Sequence, residues 1–394
     1  MRALHVADTH LGRTTHSTPG TTSRSDDLGA TLLRFADVAV EEKVDLALLP
    51  GDLFHGRRPV PKDLLYLTEA LAKLRKAKIL ALLSGGNHDG TDTVGDERTH
   101  ALAWLNALAP DGVRMFTNAK ATTLRLDNGQ AFNIVATPYP HKRAFDALMP
   151  EMDPDERVEW ISRAYEKSVD TMIDSVQAGM PDLPTIFMGH VSVVGATLGS
   201  EVSMRFGWDV TVGSGVFDKV DYAALGHIHR QQQISEKCWY SGSPEFLDFG
   251  EAGQTKGFLL VDIQKGKNPK VEVIDSSPRP MATVSLTETD SGWQYSPEAI
   301  APGAIIKLDI SPLVSVSPGD VLRFVREVRV MGASYVSHRV ILPERVAIAR
   351  AQMSAEVEVE QALRSWLEAA GYSDVEMSTV LRAGMDLVNE LGAR

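Results

Sequence analysis

The sequence predicts an α/β layered fold followed by a small α+β unit and a helical tail. Three observations carry this. Over the first two thirds of the chain, short apolar runs alternate with amphipathic stretches of helical period. After about residue 235 that alternation gives way to successive strand-like runs. A Ser/Pro stretch at Ser276–Pro280 then reads as a boundary.

The expected strands of the first part are Ala3–Ala7, Asp45–Leu49, Ile79–Leu83, Phe132–Thr137, Thr185–Met188 and Tyr222–Leu225. Amphipathic helices are expected at Asp27–Glu42, Lys62–Ala77 and Glu156–Gln177, the last with Val158, Ile161, Ala164, Tyr165 and Val169 on one stripe. Lys237–Tyr240, Gly257–Asp262 and Val271–Ile274 predict a second sheet packed on the first. The domains are then 1–278, 279–345 and 346–394. In the small unit Ile305–Ile310 and Val336–Leu342 are strand-like, and Ser317-Pro318 opens a helix with a capping serine and a proline at its first position. In the tail, Val359, Ala362, Leu363, Trp366, Leu367 and Ala370 form one apolar stripe, which Gly371 ends. Ser373 and Glu376 make a capping box for a second stripe of Met377, Val380, Leu381, Met385 and Val388.

The chain has 394 residues and a formal charge of −12, which argues against a protein coated in DNA-binding surface. Its single cysteine, Cys238, excludes an intrachain disulfide and fits a reducing, cytoplasmic setting. No secretory leader and no membrane span are expected, and the lack of a P-loop signature predicts no ATP site on this chain.

Five short signatures carry chemistry: Asp8-Thr9-His10, Gly51-Asp52, Gly86-Asn87-His88-Asp89, Gly189-His190 and Gly226-His227-Ile228-His229. Each falls at the carboxyl end of an expected strand, where open α/β sheets bind ligands. Imidazole and carboxylate without thiolate suit Mn, Fe or Zn in a reactive site rather than a structural zinc cage. Asp52 stands alone at its strand end and is the candidate for a bridging carboxylate. Two bridged cations activate water and polarise a phosphoryl oxygen. The glycines before Asp52, Asn87, His190 and His227 are expected to turn the backbone sharply beneath these side chains. Singly, Asp8-Thr9-His10 reads more easily as a turn or helix cap, Gly51-Asp52 is weaker still, and Gly226-His227-Ile228-His229 could be a hairpin with solvated imidazoles, whereas Gly86-Asn87-His88-Asp89 is more specific; their joint occurrence in this order favours one site. His5, His16, His55, His100, His141 and His338 fit no signature and read mostly as packed or solvated side chains.

Taken together, the signatures resemble the calcineurin-like metallophosphoesterase superfamily. Within it the chain is similar to the SbcD nuclease subunits of bacterial SbcCD complexes. That finer likeness rests on Leu49-Pro50-Gly51-Asp52-Leu53-Phe54-His55 with Arg57-Arg58-Pro59, and on Tyr222 to His229. Tyr240-Ser241-Gly242-Ser243-Pro244, Phe249-Gly250-Glu251 and Lys256-Gly257 extend it. It covers residues 1 to about 275. The resemblance implies a four-layer α/β/β/α sandwich with a small α+β capping domain and a C-terminal helical tail. It implies one metal held by Asp8, His10 and His229, another by Asn87, His190 and His227, and Asp52 shared. His88 would contact the scissile phosphate or protonate the leaving oxygen, and Asp89 would orient a neighbour or cap a helix. Ser84-Gly85-Gly86 departs from the usual pattern before Asn87 and predicts a looser loop there.

The favoured activity is a manganese-dependent 3′–5′ double-strand exonuclease and single-strand endonuclease. Arg57, Arg58, Lys142 and Arg143 are candidate DNA contacts, whereas Lys73–Lys78 reads as the solvated end of a helix. The resemblance also implies a homodimer and an SbcC-type coiled-coil ATPase as partner, which the tail helices would meet through Trp366 and Leu367. A small-substrate metallophosphoesterase, such as a cyclic-nucleotide phosphodiesterase, and a non-catalytic DNA-end scaffold are the competing readings. All seven ligands are present, which weighs against the scaffold.

Overall fold

A computed structural model describes the whole chain except residues 18–19, 91–100, 109, 142–144, 146–148, 200–208, 297–299, 344–358, 370–376 and 386–394. It divides into two compact units, Met1–Met281 and Ala282–Arg394.

The first unit is built on two six-stranded sheets. One has the order Lys270–Asp275, Gly257–Asp262, Arg2–His5, Leu46–Pro50, Leu80–Ser84, Val113–Phe116. Its last four strands run parallel. The other has the order Gln232–Ser235, Cys238–Tyr240, Tyr222–Gly226, Thr185–His190, Ala131–Thr137, Lys120–Arg125, with its four central strands parallel. Strand periodicity sorts the side chains into layers. Ala47 and Leu49 point to one face and join Leu28, Leu32 and Phe35 of helix Ser25–Glu41 and Leu67 and Leu74 of helix Pro61–Lys76. Leu46 and Leu48 point to the other face and meet Ile134, Ile186, Met188, Tyr222 and Ala224 of the second sheet. Phe187, Ala223 and Leu225 face away again, onto Ile161, Tyr165, Val169 and Ile173 of helix Pro154–Gly179. The layers are therefore α/β/β/α, and strands buried on both faces read as continuous apolar runs.

The late strands depart from expectation. They build no sheet of their own: Cys238–Tyr240 pairs with Tyr222–Gly226, while Gly257–Asp262 and Lys270–Asp275 extend the first sheet beside Arg2–His5. An apolar run marks a strand but carries no address for its neighbour. The edge strand Lys120–Arg125 escaped notice because its sequence, Lys-Ala-Thr-Thr-Leu-Arg, lacks an apolar run.

In the second unit, strands Gly292–Tyr295, Met281–Thr289, Ile305–Ser311 and Tyr335–Val340 form one sheet. Val321, Phe324 and Val328 of helix Pro318–Val330 cover its Leu286, Ile306 and Leu308. Ser317 Oγ accepts the Asp320 N–H at 3.1 Å and caps that helix. The tail is helical over Val359–Ala369 and 377–385, with Leu367 and Leu381 buried and Leu363 against Gly384. Ala370, Gly371, Ser373, Glu376 and Val388 lie outside the described residues. No helix among the described residues is long and apolar enough to cross a membrane.

Candidate metal centre

The five signatures sit on loops leaving Arg2–His5, Leu46–Pro50, Leu80–Ser84, Thr185–His190 and Tyr222–Gly226, all at carboxyl ends of strands. The backbone beneath them is strained. Among the described residues seven non-glycine positions have positive φ, and four of them are Asp8 (56°), His10 (44°), Asp52 (50°) and His227 (102°). Such conformations cost about 1–3 kcal/mol each and persist where the surroundings enforce them, which is common at functional sites. Gly51 does turn in the left-handed region (φ 88°), but Gly86 and Gly226 serve a different purpose from the turn expected of them. A Cβ at Gly86 would lie 2.0 Å from Asp52 Oδ1, and one at Gly226 2.1 Å from the Pro50 carbonyl oxygen. They are needed for close approach.

The donor atoms converge. His10 Nε2 and His229 Nε2 face each other at 3.1 Å, and Asp8 completes a group of three within reach of one ion. Asp52 Oδ2 lies 3.6 Å from His10 Nε2 and 3.4 Å from His190 Nε2, between the two clusters. Asn87 Oδ1 is 3.1 Å from His190 Nε2 and 3.0 Å from His227 Nδ1. Asp8, His10, Asp52, His190, His227 and His229 are all buried.

The outward nitrogen of each histidine identifies the inward one. A metal-binding imidazole generally donates its other N–H to a fixed acceptor. His190 Nδ1 donates to the Pro50 carbonyl (2.8 Å), His229 Nδ1 to Glu251 Oε1 (2.8 Å) and His227 Nε2 to Asp209 Oδ2 (2.8 Å). His10 Nδ1 pairs with His55 Nδ1 at 3.2 Å. His10 Nε2 and His229 Nε2 therefore face the same point beside Asp8, within reach of one cation. The donor set suits divalent cations: Asp8, His10 and His229 form one group within reach of an ion and Asp8, Asp52 and His190 another, with Asn87 Oδ1 against both His190 and His227. When bound, such cations supply an activated water and a polarised phosphoryl oxygen.

Charge among these side chains is consistent with that fit. Burial pushes the Asp8 carboxyl up to about 6 against the pull of His190 and His229. Burial opposes charge on His190 too, yet Asp52 and Asp8 outweigh it and raise the ring to about 9. Asp52 is held well below the usual carboxylate range: burial works against this, and His190, His10 and His88 overcome it. His10 is pushed far down by burial, and His55 to about 4 by burial with Arg13 and His88 nearby.

His88 lies beside the donors. Its backbone N–H donates to Asp52 Oδ1 at 2.8 Å, its ring stacks on His55 at 5.0 Å, and its Nδ1 is 3.2 Å from the His55 carbonyl oxygen. Asp89 is fully buried and accepts from Gly86 N (2.7 Å), Leu53 N (2.7 Å) and Phe54 N (3.4 Å). It ties the Asn87 loop to the Asp52 loop, and the Gly85 carbonyl is tied to Tyr139 N at 2.9 Å. The loop before Asn87, expected to be looser, is held by the Asp89 carboxylate at Gly86 N and by Tyr139 N at the Gly85 carbonyl oxygen. Arg57 and Arg58 are exposed just past His55, while Lys142 and Arg143 lie outside the described residues.

Four residues were missed. His55, set aside as fitting no signature, stands inside the site, and its place three residues after Asp52 was the available signal. Glu251 and Lys256 belong to quoted motifs but were given no role: Lys256 Nζ donates to Glu251 Oε2 (2.7 Å), Ser243 Oγ (2.7 Å) and the His229 carbonyl (3.2 Å). Asp209 carried no signal in the sequence. His5 is packed, with Nδ1 2.8 Å from Tyr222 Oη.

The chain was compared with known proteins. Similar solved structures include TT1561 of Thermus thermophilus, at 14% identity and a TM-score of 0.37 over 69% of this chain and 98% of that one. A dimetal phosphatase from Danio rerio matches at 11% and 0.40 over 69% and 98%. Purple acid phosphatase PPD1 from yellow lupin (Lupinus luteus) seeds matches at 13% and 0.38 over 70% and 52%. The family model for calcineurin-like phosphoesterases matches residues 1–231, the span that holds every candidate ligand named above, and the chain belongs to the calcineurin-like phosphoesterase family.

Proposed function

We propose that this phosphoesterase is a DNA nuclease of the SbcD type, manganese-dependent, cutting duplex ends as a 3′–5′ exonuclease and single strands as an endonuclease. The observation that supports the reading best is the Asp52 loop. Within six residues it passes from a candidate bridging carboxylate through His55, stacked on His88, to exposed Arg57 and Arg58. Two cationic side chains beside a phosphoesterase centre suit a polyanionic backbone and select no sequence. His88 Nδ1 donates to the His55 carbonyl, and the ring in its doubly protonated imidazolium form would give the Nε2 proton to the leaving oxygen. Asp89 holds that loop, and Asn87 with it, against the Asp52 loop. The same resemblance supports a homodimer and a coiled-coil ATPase partner bound through the tail helices.

The test is one preparation assayed with Mn²⁺ on linear duplex DNA and on a cyclic nucleotide. Degradation of DNA alone is expected, weakened by salt and less steeply so in Arg57→Ala/Arg58→Ala, where the salt slope should fall by roughly one per lost phosphate contact. Hydrolysis of only the cyclic nucleotide would replace the nuclease by a small-substrate phosphodiesterase. His88→Ala should keep its metals and cut slowly; wild-type cutting would remove its proton-transfer role.

A further inference from the structure

The two candidate cation pockets are held from outside in different ways. His229 is fixed by Glu251, whose side chain and that of its partner Lys256 are both completely buried. His227 is fixed by Asp209, which lies at the rim with 11% of its side chain exposed. Asp209 Oδ2 accepts from His227 Nε2 at 2.8 Å, and its Oδ1 accepts the Tyr139 hydroxyl at 2.6 Å. The Tyr139 ring lies 5.5 Å from the His227 ring, tilted by 40°.

These two residues, with the strand that follows Asp209, reach the three loops that supply Asn87, His190 and His227 to the second pocket. Tyr139 N donates to the Gly85 carbonyl, two residues before Asn87. Asp209 leads into Thr211–Val212, which pairs in parallel with Ser192–Val193 directly after His190. Val210 and Val212 are buried in the core beneath and anchor that approach. Asp209 itself holds His227. Asn87, His190 and His227 come from three strands, and this pair with the strand after Asp209 is the cross-tie common to all three.

We infer that Asp209, oriented by Tyr139, is the positioning residue that keeps His227 Nδ1 directed at the cation shared with Asn87 and His190. The affinity of that one cation is therefore set from the rim. The inference rests on the two-metal site and does not depend on what the enzyme cuts. Without Asp209 the imidazole loses the acceptor that selects its tautomer and its ring orientation, while the Glu251-backed pocket is untouched.

The experiment is a titration of the metal-free full chain with Mn²⁺ by calorimetry and with Co²⁺ by visible absorption, with thermal melting of the metal-free proteins alongside. Wild type should bind two ions. Asp209→Ala should weaken one of them by roughly 10–100-fold, the usual consequence of losing an outer hydrogen-bond partner, and leave the other unchanged. The Co²⁺ bands lost should be those lost in Asn87→Ala. Asp209→Asn, which keeps an acceptor oxygen, should recover part of the affinity, and Tyr139→Phe should show a smaller loss at the same ion. Two ions bound at wild-type affinity in Asp209→Ala would overturn the inference, as would equal weakening of both. If Asp209→Ala does not fold, Tyr139→Phe decides: unchanged affinities or a loss shared by both ions refute. Fewer than two ions in the wild type would instead refute the dinuclear site itself.

Discussion

Replacing Glu251 by alanine is expected to destabilise the metal-free protein by about 3–5 kcal/mol, because it strands a buried ammonium. Glu251 Oε2 receives Lys256 Nζ at 2.7 Å, Leu247 N at 3.0 Å and Ser243 Oγ at 3.3 Å, while Oε1 receives His229 Nδ1. The proton equilibrium of Glu251 gives a second route to the magnitude. Burial raises its affinity for a proton, but His229 and Lys256 more than reverse this and take the carboxyl from 4.5 to about 2. At about 1.4 kcal/mol per tenfold change in proton affinity, that difference is worth about 3 kcal/mol. A carboxyl with a depressed folded-state pKa stabilises fully above its unfolded value of 4.5. This stabilisation fades as pH falls from there through about 2. Urea unfolding of the metal-free wild type and Glu251→Ala at pH 7 measures the loss directly. Glu251→Leu combined with Lys256→Met removes the stranded charge and should recover most of the stability, yet His229 still lacks its acceptor and one metal should remain weakly bound. A cost below about 1 kcal/mol for Glu251→Ala, or full metal affinity in the double variant, would refute the coupling between this buried pair and the site.

Three more outcomes follow from the geometry. Asp52→Ala should lose both ions, since one carboxylate oxygen stands between His10 and His190; elemental analysis that still finds two ions per chain removes its bridging role. In Gly86→Ala the added Cβ meets Asp52 Oδ1 at 2.0 Å and Asp52 N at 2.3 Å. Overpacking of this kind costs about 1–3 kcal/mol, so both melting temperature and metal content should fall, and unchanged values of both would contradict the close approach. Cation binding must displace the proton from His190, raised to about 9, and below about 6 also that from Asp8. Apparent metal affinity should therefore rise with pH up to about 9, and a flat profile by calorimetry between 6 and 9 would show that His190 carries no competing proton.

The inner donors were legible in the sequence because each lies within a few residues of a strand end. A strand end is a local feature: an apolar run stops and a glycine or polar residue begins. The bridging place of Asp52 could be argued in the same way. What surrounds the donors is not local. Glu251 reaches His229 from 22 residues away, and Asp209 reaches His227 from 18 residues away across a different loop. Nothing in the period of either segment marks a hydrogen bond to an imidazole. His55 failed for another reason: a histidine after an apolar pair looks like any half-packed ring, and its role depends on His10 turning toward it with φ 44°. The sheets show the same division. Strand positions were largely readable, whereas the assignment of Gly257–Asp262 to the first sheet depended on antiparallel pairing with residues 2–5 at the other end of the unit.

The outer partners also explain why this site needs so much of the chain. A cation pocket requires the inner donors and a reason for each imidazole to face inward, and here that reason differs for every histidine. A backbone carbonyl holds His190, a neutral imidazole holds His10, a buried carboxylate paired with lysine holds His229, and a rim carboxylate paired with tyrosine holds His227. The first requires only that the Leu46–Pro50 strand end beside His190. The second depends on the loop that also carries Arg57 and Arg58. The third depends on the segment from Ser243 to Lys256, beyond the last ligand. Truncation after His229 would keep all seven candidate ligands and still lose the acceptor that orients one of them, so residues 243–256 belong to the candidate metal site as much as to the fold.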